Sequence, residues 1–439
     1  MSHFRRRRRA EMRFVFDAYQ AGLKFRRETK SWNEEQKRAW VLKALRETIR
    51  RAAETDYYGS LFREISFDPR GDFGFEDFAQ LPILKRDDIL NAGEKLVSKA
   101  IPKSRLLKDA TGGTEGMPTE IWLGEEERGW KESGIDFAFE QLGVPVGSKM
   151  AYLWGHHLDP QGADRLRDRV RAFATNIQWF DCFRLSPQIL ENYHNRFEAW
   201  GPDCIVAYAS ALGQLAVFLK ENGIRPKHYP KIAFVTGAEK LNAEHRKVIE
   251  EVFAKPVCER YGGRDFGPVA IQMNPRVSLD FEVDWWWALI EPETADETSP
   301  VLVTKFHADA MPMIRYRVGD LGKFPAGSKS GEPSFLLSEI VGRQMDRIWL
   351  RNGNWVSGAE FPHLLKSYPV REYVFVQQEN YGIDLHIVPK PGFSDNHYAE
   401  IEKTISSNLE GLVIRIKLVE EVPRTRANKL RPVMTKVIR

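Results

Sequence analysis

The sequence predicts an α/β protein, a large N-terminal unit followed by a small α+β unit. Three observations carry that expectation. The middle of the chain alternates apolar strands with helices, "CIVAYA", "SALGQLAVFLKENG", "KIAFVT", "NAEHRKVIEEVF" and "PVCERY", the pattern of β-α-β units on a parallel sheet. At 439 residues the chain exceeds one ordinary core. Beyond Gly342 the pattern changes to strand "EYVFVQQ", strand "GIDLHIVP", a helix capped at Ser394 and strand "LVIRIKLVE". That set, about 95 residues, is large enough to fold alone. The expected division is 1–341 and 342–439, with a helical lead-in over 1–105.

Taken in order, the segment from Phe4 to Phe25 reads as a basic helix. It suits an anionic surface or a solvated, frayed terminus. "NEEQ", Asn33 to Gln36, is a capping box, and Val41, Leu42, Leu45, Ile49 and Ala52 follow at helical spacing. "LPILKRDDIL" leads out of this helical region. "TEIWL" reads as a strand and "GEEERGWKESGIDFAFEQL" as a helix. Ser186-Pro187 combines an N-cap with proline at the first helical position, opening a helix to about Trp200. The turns "GAEK" and "GGRD" follow predicted strands, where open α/β sheets bind ligands. Trp285 to Trp287 are expected to divide between core and surface. Phe393 and Tyr398 flank the Ser394 cap at staple spacing.

Composition narrows the function classes. The net charge of +4 includes the run Arg5 to Arg9; without it the balance is about −1, so no basic face suggests a nucleic-acid partner. Cys182, Cys204 and Cys258 form no C-x-x-C pair and fit a reduced cytoplasmic protein with buried thiols. No apolar run reaches the length of a membrane span, and no signal-type apolar region follows Arg9. Stable membrane insertion is not expected.

The stretch "TGGTEGMP", Thr111 to Pro118, packs three glycines, two threonines and a proline into eight residues. Glycines let backbone N–H groups turn toward an anion, and Thr111 and Thr114 add hydroxyl donors. It is neither a Walker A loop nor a dinucleotide fingerprint, and a strand follows it. On composition a tight hairpin turn and a phosphate cradle both stay open.

Five further segments follow in order: "GAEK" (Gly237 to Lys240), "YGGRDFG" (Tyr261 to Gly267), "RYRVGDLG" (Arg315 to Gly322), "GRQMDRIWLRNG" (Gly342 to Gly353) and "PRTRANK" (Pro423 to Lys429). With the glycine stretch and its lead-in "LPILKRDDI", the set resembles the adenylate-forming enzymes, and within them the phenylacetate–CoA ligase family with its capsular-polysaccharide and coenzyme F390 relatives. The resemblance runs from about Trp32 to Lys436.

It implies a large α/β domain with a small mobile lid, ATP and Mg²⁺ as requirements, and activation of a small carboxylic acid as acyl-adenylate. The acyl group would then pass to coenzyme A. A carrier-protein thiol or an amine is the alternative acceptor, and a degenerate nucleotide-binding relic the non-enzyme alternative. By the same resemblance Thr111, Gly112, Gly113, Thr114 and Gly116 would hold the β- and γ-phosphates. Gly237, Ala238, Glu239, Tyr261 and Gly262 would line the adenine. Asp265 would be the Mg²⁺ ligand, Asp320 would take the ribose hydroxyls, and Arg343 would contact the nucleotide. Asp346 falls at the hinge, Lys429 matches the lysine that bridges carboxylate and α-phosphate, and His156 or His157 would border the acyl and thiol pocket.

Three positions depart from the family pattern. Glu115 stands where a hydroxyl residue is usual, Asp265 where glutamate is usual, and Asn428 alters the glycine context of the lysine. The acid itself is not legible, nor is the oligomeric state, a homodimer being one option.

Overall fold

The structure, a computed structural model, describes residues 13–110, 119–154, 176–182, 185–343, 347–351, 355–357, 365, 368–409, 412–424 and 431–437. Contacts divide the chain after Ile340 into a large and a small unit; Gly319–Leu321 group with the small one. No helix among the described residues is long and apolar enough to cross a membrane.

The large unit opens with α1 (Arg13–Thr29) and α2 (Glu34–Ala52). The Asn33 side chain accepts from the Gln36 N–H at 2.9 Å and the Gln36 side chain answers at 3.0 Å, so the capping box forms as its sequence predicts. Short helices α3 (Asp56–Glu64), α4 (Phe75–Ala79) and α5 (Arg86–Ala92) follow. Strands β1 (Leu107–Ala110) and β2 (Glu120–Leu123) pair antiparallel, Ala110 opposite Glu120. The glycine stretch between them lies outside the described residues.

Helix α6 (Glu125–Gln141) then packs along α1. Here the surface-helix expectation fails. Val15, Tyr19, Leu23 and Arg26 of α1 are buried. Gly129 makes the close approach possible: a Cβ there would lie 2.6 Å from the Ala18 Cβ and from the Val15 carbonyl oxygen. The Arg26 guanidinium donates to Ser133 at 2.8 Å and to both oxygens of Asp284 at 3.0 and 3.2 Å. Trp285, Trp286 and Trp287 are likewise all buried, because α1 and α2 cover the loop that carries them.

The parallel sheet is built from β3 (Met150–Trp154), β4 (Ile177–Asp181), β5 (Cys204–Tyr208), β6 (Ala233–Gly237) and β7 (Val257–Gly263). Helices α7 (Pro187–Trp200), α8 (Ala209–Glu221) and α9 (Ala243–Phe253) alternate with the later strands. Ser186 caps α7 ahead of Pro187, as its sequence predicts. Antiparallel β8 (Gly267–Ile271), β9 (Phe281–Val283) and, later in the chain, β13 (Leu336–Leu337) extend the sheet, whose order is β13-β9-β8-β7-β6-β5-β3-β4. Alternate residues feed two cores. Ala151, Leu153, Ile205 and Phe234 meet α7, α8 and α9 on one face, while Tyr152, Val206, Val235 and Cys258 meet α6 on the other. A second sheet holds β10 (Ala288–Pro292), β11 (Thr298–Lys305) and β12 (Tyr316–Lys323) in that order.

Where β11 meets α6, Lys305 and Glu127 form a buried ion pair at 2.6 Å. Asp309 lies beside it, with its Oδ1 lacking a partner among the described residues. Burial first, then repulsion by Glu127 and Glu126, pushes the Asp309 carboxyl from 3.8 to about 6. The folded chain thus binds the proton more tightly than the unfolded one, so this site loses stability as pH rises from about 4 through about 6. The cost above that window is at most roughly 3 kcal/mol. Asp309→Asn should therefore raise the melting temperature by roughly a few degrees at pH 7.5 and hardly at all at pH 4.5. A gain equal at both pH values would show that charge is not its source.

In the small unit, β14 (Glu339–Arg343) carries the chain across the division, followed by β15 (Arg347–Trp349) and β16 (Trp355–Ser357). The sheet then comprises β17 (Val370–Gln377), β18 (Ile383–Pro389), β19 (Ile414–Leu418) and β20 (Val433–Thr435), in the order β19-β18-β17-β20. Helix α10 (Asp395–Asn408) lays Ile401 and Ile405 on this sheet against Phe375, Leu385 and Ile387. Phe393 and Tyr398 pack on the same core from either side of the Ser394 cap.

Candidate active site

Gly237, Ala238, Glu239, Tyr261, Gly262 and Asp265 follow or end the neighbouring strands β6 and β7 of the large sheet. Strand β6 is buried along its length and ends at Gly237. Ala238 follows with φ +66°, a left-handed conformation that costs a non-glycine residue about 1 kcal/mol or more. That turn sends Glu239 back to the start of α8, where its carboxylate accepts from the Ser210 N–H at 3.0 Å. A carboxylate at a helix N-terminus is favoured by the free amides and the dipole there. Glu239 thereby fixes the path of the "GAEK" turn, and Lys240 anchors its far side on Glu339 at 2.5 Å.

Aromatic side chains surround this turn. Trp154 and Tyr208 end β3 and β5 with their rings perpendicular at 4.5 Å. A Cβ on Gly237 would lie 3.6 Å from the Trp154 ring. Tyr208 escaped sequence reasoning; its only signal was its place as the last residue of an apolar strand.

The hairpin from β7 to β8 carries "YGGRDFG". Gly263 pairs with Gly267, and Tyr261 is buried with its ring 5.7 Å from Phe266. Gly262 tolerates nothing larger, since a Cβ there would meet the Gly267 carbonyl oxygen at 2.5 Å. Asp265 sits in the turn, half-buried, and its Oδ2 accepts from the Tyr316 hydroxyl at 2.8 Å. Its Oδ1 has no hydrogen-bond partner among the described residues. At the same hairpin Arg264 lies 4.0 Å from Asp109, on the strand that leads into the glycine stretch.

Tyr316 is aimed by what precedes it. Arg315 takes φ +49° and buries its guanidinium, donating to Glu291 at 3.2 Å from both Nε and Nη2, to the Leu81 carbonyl at 2.7 Å, to the Ala79 carbonyl and to Ser330 at 2.7 Å. Leu84, in the lead-in segment, bridges Tyr316 in parallel: its N–H donates to the Arg315 carbonyl, and the Arg317 N–H donates back at 3.0 Å. Three sequence motifs thus converge on one carboxylate.

Asp320 lies four residues along β12, half-buried and in a strand rather than a turn. Arg343 ends β14, its side chain outside the description. Thr111, Gly112, Gly113, Thr114, Glu115, Gly116, His156, His157, Asp346, Asn428 and Lys429 also lie outside the described residues. Among the described residues no group of three histidine, cysteine or acidic side chains could hold a metal. A cation here would find Asp265 among the described residues, and the rest of its oxygens would come from elsewhere. That donor set suits Mg²⁺, a hard ion that keeps water and substrate-phosphate ligands.

No family model matches the chain. Protein CapK of Staphylococcus aureus is 23% identical over 321 residues, 70% of this chain and 69% of that protein. A phenylacetate–coenzyme A ligase of Pseudomonas putida is 23% identical over 324 residues, 71% and 72% of the two chains. The crystal structure of a 2-hydroxyisobutyryl-CoA ligase, in a postadenylation state with its acyl-AMP, superposes with a TM-score of 0.70. It covers 92% of this chain and 91% of that one at 16% identity. In sequence the chain is similar to the phenylacetate–CoA ligases and to protein CapK. Its fold is shared with the 2-hydroxyisobutyryl-CoA ligase over nearly the whole chain. The "GAEK" turn and the Asp265 hairpin follow neighbouring strands β6 and β7 of the large sheet, and Tyr316 reaches Asp265 from β12 of the second sheet.

Proposed function

We propose that this protein activates a carboxylic acid with ATP and passes the acyl group to a thiol, with coenzyme A the expected acceptor. A carboxylate oxygen bonds to the α-phosphorus, the bond between α- and β-phosphates breaks, and pyrophosphate leaves with the electron pair. The thiolate then attacks the acyl carbon, and AMP leaves with the electrons of the mixed-anhydride bond. The observation that carries this reading is the Tyr316 hydrogen bond to Asp265, which occupies one carboxylate oxygen and leaves the other without a partner among the described residues. The sequence relatives named as phenylacetate–coenzyme A ligases support it.

Two anions must meet in the first step, so neutralising charge is the main demand on the site. Mg²⁺ bound at Asp265 would supply that at the phosphates. From the chain itself, Lys429 would hold the substrate carboxylate against the α-phosphate. Thr111, Thr114 and the backbone of Gly112, Gly113 and Gly116 would hold the outgoing phosphates. Asp320 would accept from the ribose hydroxyls, and Glu239, already fixed by Ser210, would keep the adenine-side turn in shape.

ATP should accordingly stabilise the protein only together with a divalent ion, by about 2.7 kcal/mol at a hundredfold excess over the dissociation constant. Thermal shifts with ATP, Mg²⁺ and both check this. Pyrophosphate release from ATP across a panel of acids, with and without coenzyme A, checks the reaction. Release without thioester formation would move the acceptor to a carrier-protein thiol or an amine. No Mg-ATP shift and no release from folded protein would overturn the reading.

A further inference from the structure

A cavity of about 860 Å³ opens in the large unit beneath β7 and β8, walled by Phe137, Ile271, Trp285 and Phe335 among others. Arg260 reaches it from β7. Side chains alternate along a strand, so Arg260 faces the opposite way from its neighbour Tyr261. Pro268, which also lines the cavity, pairs with Gly262 at the base of the Asp265 turn. The cavity therefore borders the strands of the hairpin whose turn carries Asp265.

Arg260 is half-buried, and its guanidinium makes no hydrogen bond or ion pair among the described residues. Five N–H donors without an acceptor are costly to withdraw from water. Burial pulls its pKa down against the opposing influence of Tyr152 and Glu132, of which Glu132 lies beyond ion-pair distance, and an arginine keeps its charge. The acids lining the cavity do not answer it. Asp284 is held by Arg26, and Glu282 faces Lys37, whose ammonium lies over the Trp285 and Phe335 rings at 5.9 and 5.6 Å. Glu34 heads the first turn of α2, where the dipole favours it.

We infer that the cavity receives an acid with a second anionic group on an aromatic-sized apolar body, and that Arg260 grips that group and so determines specificity. The inference rests on the proposed function for the fate of the first carboxylate. A planar guanidinium fork matches a carboxylate with two parallel bonds, and the aromatic walls fit the body.

The test pairs phenylacetate with (4-carboxyphenyl)acetate, two acids that differ only in the second carboxylate. Wild-type protein should release pyrophosphate with the diacid at a kcat/KM at least tenfold above that for phenylacetate. Arg260→Met should reverse the order, and Arg260→Lys, which keeps charge but not the fork, should fall between. Equal use of both acids by the wild type, or an unchanged ratio in Arg260→Met, would overturn the inference.

Binding is read separately through tryptophan fluorescence, since Trp285 and Trp286 line the cavity. The diacid should quench wild-type protein, and Arg260→Met should lose that response while phenylacetate quenches neither protein more. If neither acid releases pyrophosphate but the diacid still quenches in an Arg260-dependent way, the catalytic reading fails and the site stands. If quenching by the two acids is alike in both proteins, the site fails.

Discussion

Lys429→Ala should lose acid-dependent pyrophosphate release by about a hundred- to a thousandfold, the loss typical of removing a group that stabilises developing charge. The same variant should still form thioester from a supplied acyl-adenylate and coenzyme A. The asymmetry follows from what each step must overcome. Adenylation brings a carboxylate to a phosphate, and a lysine ammonium is worth most where the two charges are closest. Thioester formation starts from a mixed anhydride whose acyl group no longer carries the carboxylate charge, so no such bridge is needed. Single-turnover measurements of the two half-reactions separate these demands. Equal slowing of both would show that Lys429 is not confined to the first step.

Arg315→Met should destabilise the large unit by about 3–5 kcal/mol, the cost of leaving one member of a buried charge pair alone. Glu291 is fully buried and meets Arg315 through both carboxylate oxygens, so no water can replace the lost partner. The Ala79 and Leu81 carbonyls lose their donor as well. Urea denaturation followed by tryptophan fluorescence gives the size. Adding Glu291→Gln should recover part of the loss, because the stranded charge goes with it. A single variant within about 1 kcal/mol of wild type would show that this network adds little. Activity should fall too, since Arg315 sets the strand from which Tyr316 reaches Asp265.

What the sequence made legible was local or periodic. Asn33 with Gln36, and Ser186 with Pro187, mark helix starts through contacts within four residues, so their meaning travels with the chain. The alternation from Cys204 to Tyr261 predicted the sheet because a two-sided parallel strand leaves little freedom in composition. The motif set placed Gly237, Asp265 and Asp320 in order along the chain.

What stayed hidden depends on partners distant in sequence. Tyr316 finds Asp265 across 51 positions, and nothing in "RYRVGDLG" announces that its tyrosine serves another motif. Trp285 to Trp287 looked divided between core and surface because their cover comes from α1 and α2, more than 200 residues earlier. The basic N-terminal helix seemed a surface element because its buried arginine reads as solvated until Asp284 is seen opposite it. Arg260 is the reverse case. A lone arginine in an apolar strand normally implies a partner, and among the described residues its guanidinium makes no hydrogen bond or ion pair, with Glu132 acting on it only through its charge.

The bridge between Leu84 and Tyr316 has a consequence in time rather than in energy. The amide hydrogens of Leu84 and Arg317 are held by two backbone bonds that flank the residue gripping Asp265. They can exchange with solvent only when that short strut parts. Any ligand that settles on Asp265 steadies Tyr316 from the other end, so it should slow exchange at Leu84 and Arg317, neither of which touches it. Deuterium uptake in the peptide spanning "LPILK" thus becomes a clock for occupancy of the turn. It runs without turnover and needs no knowledge of which acid the protein uses.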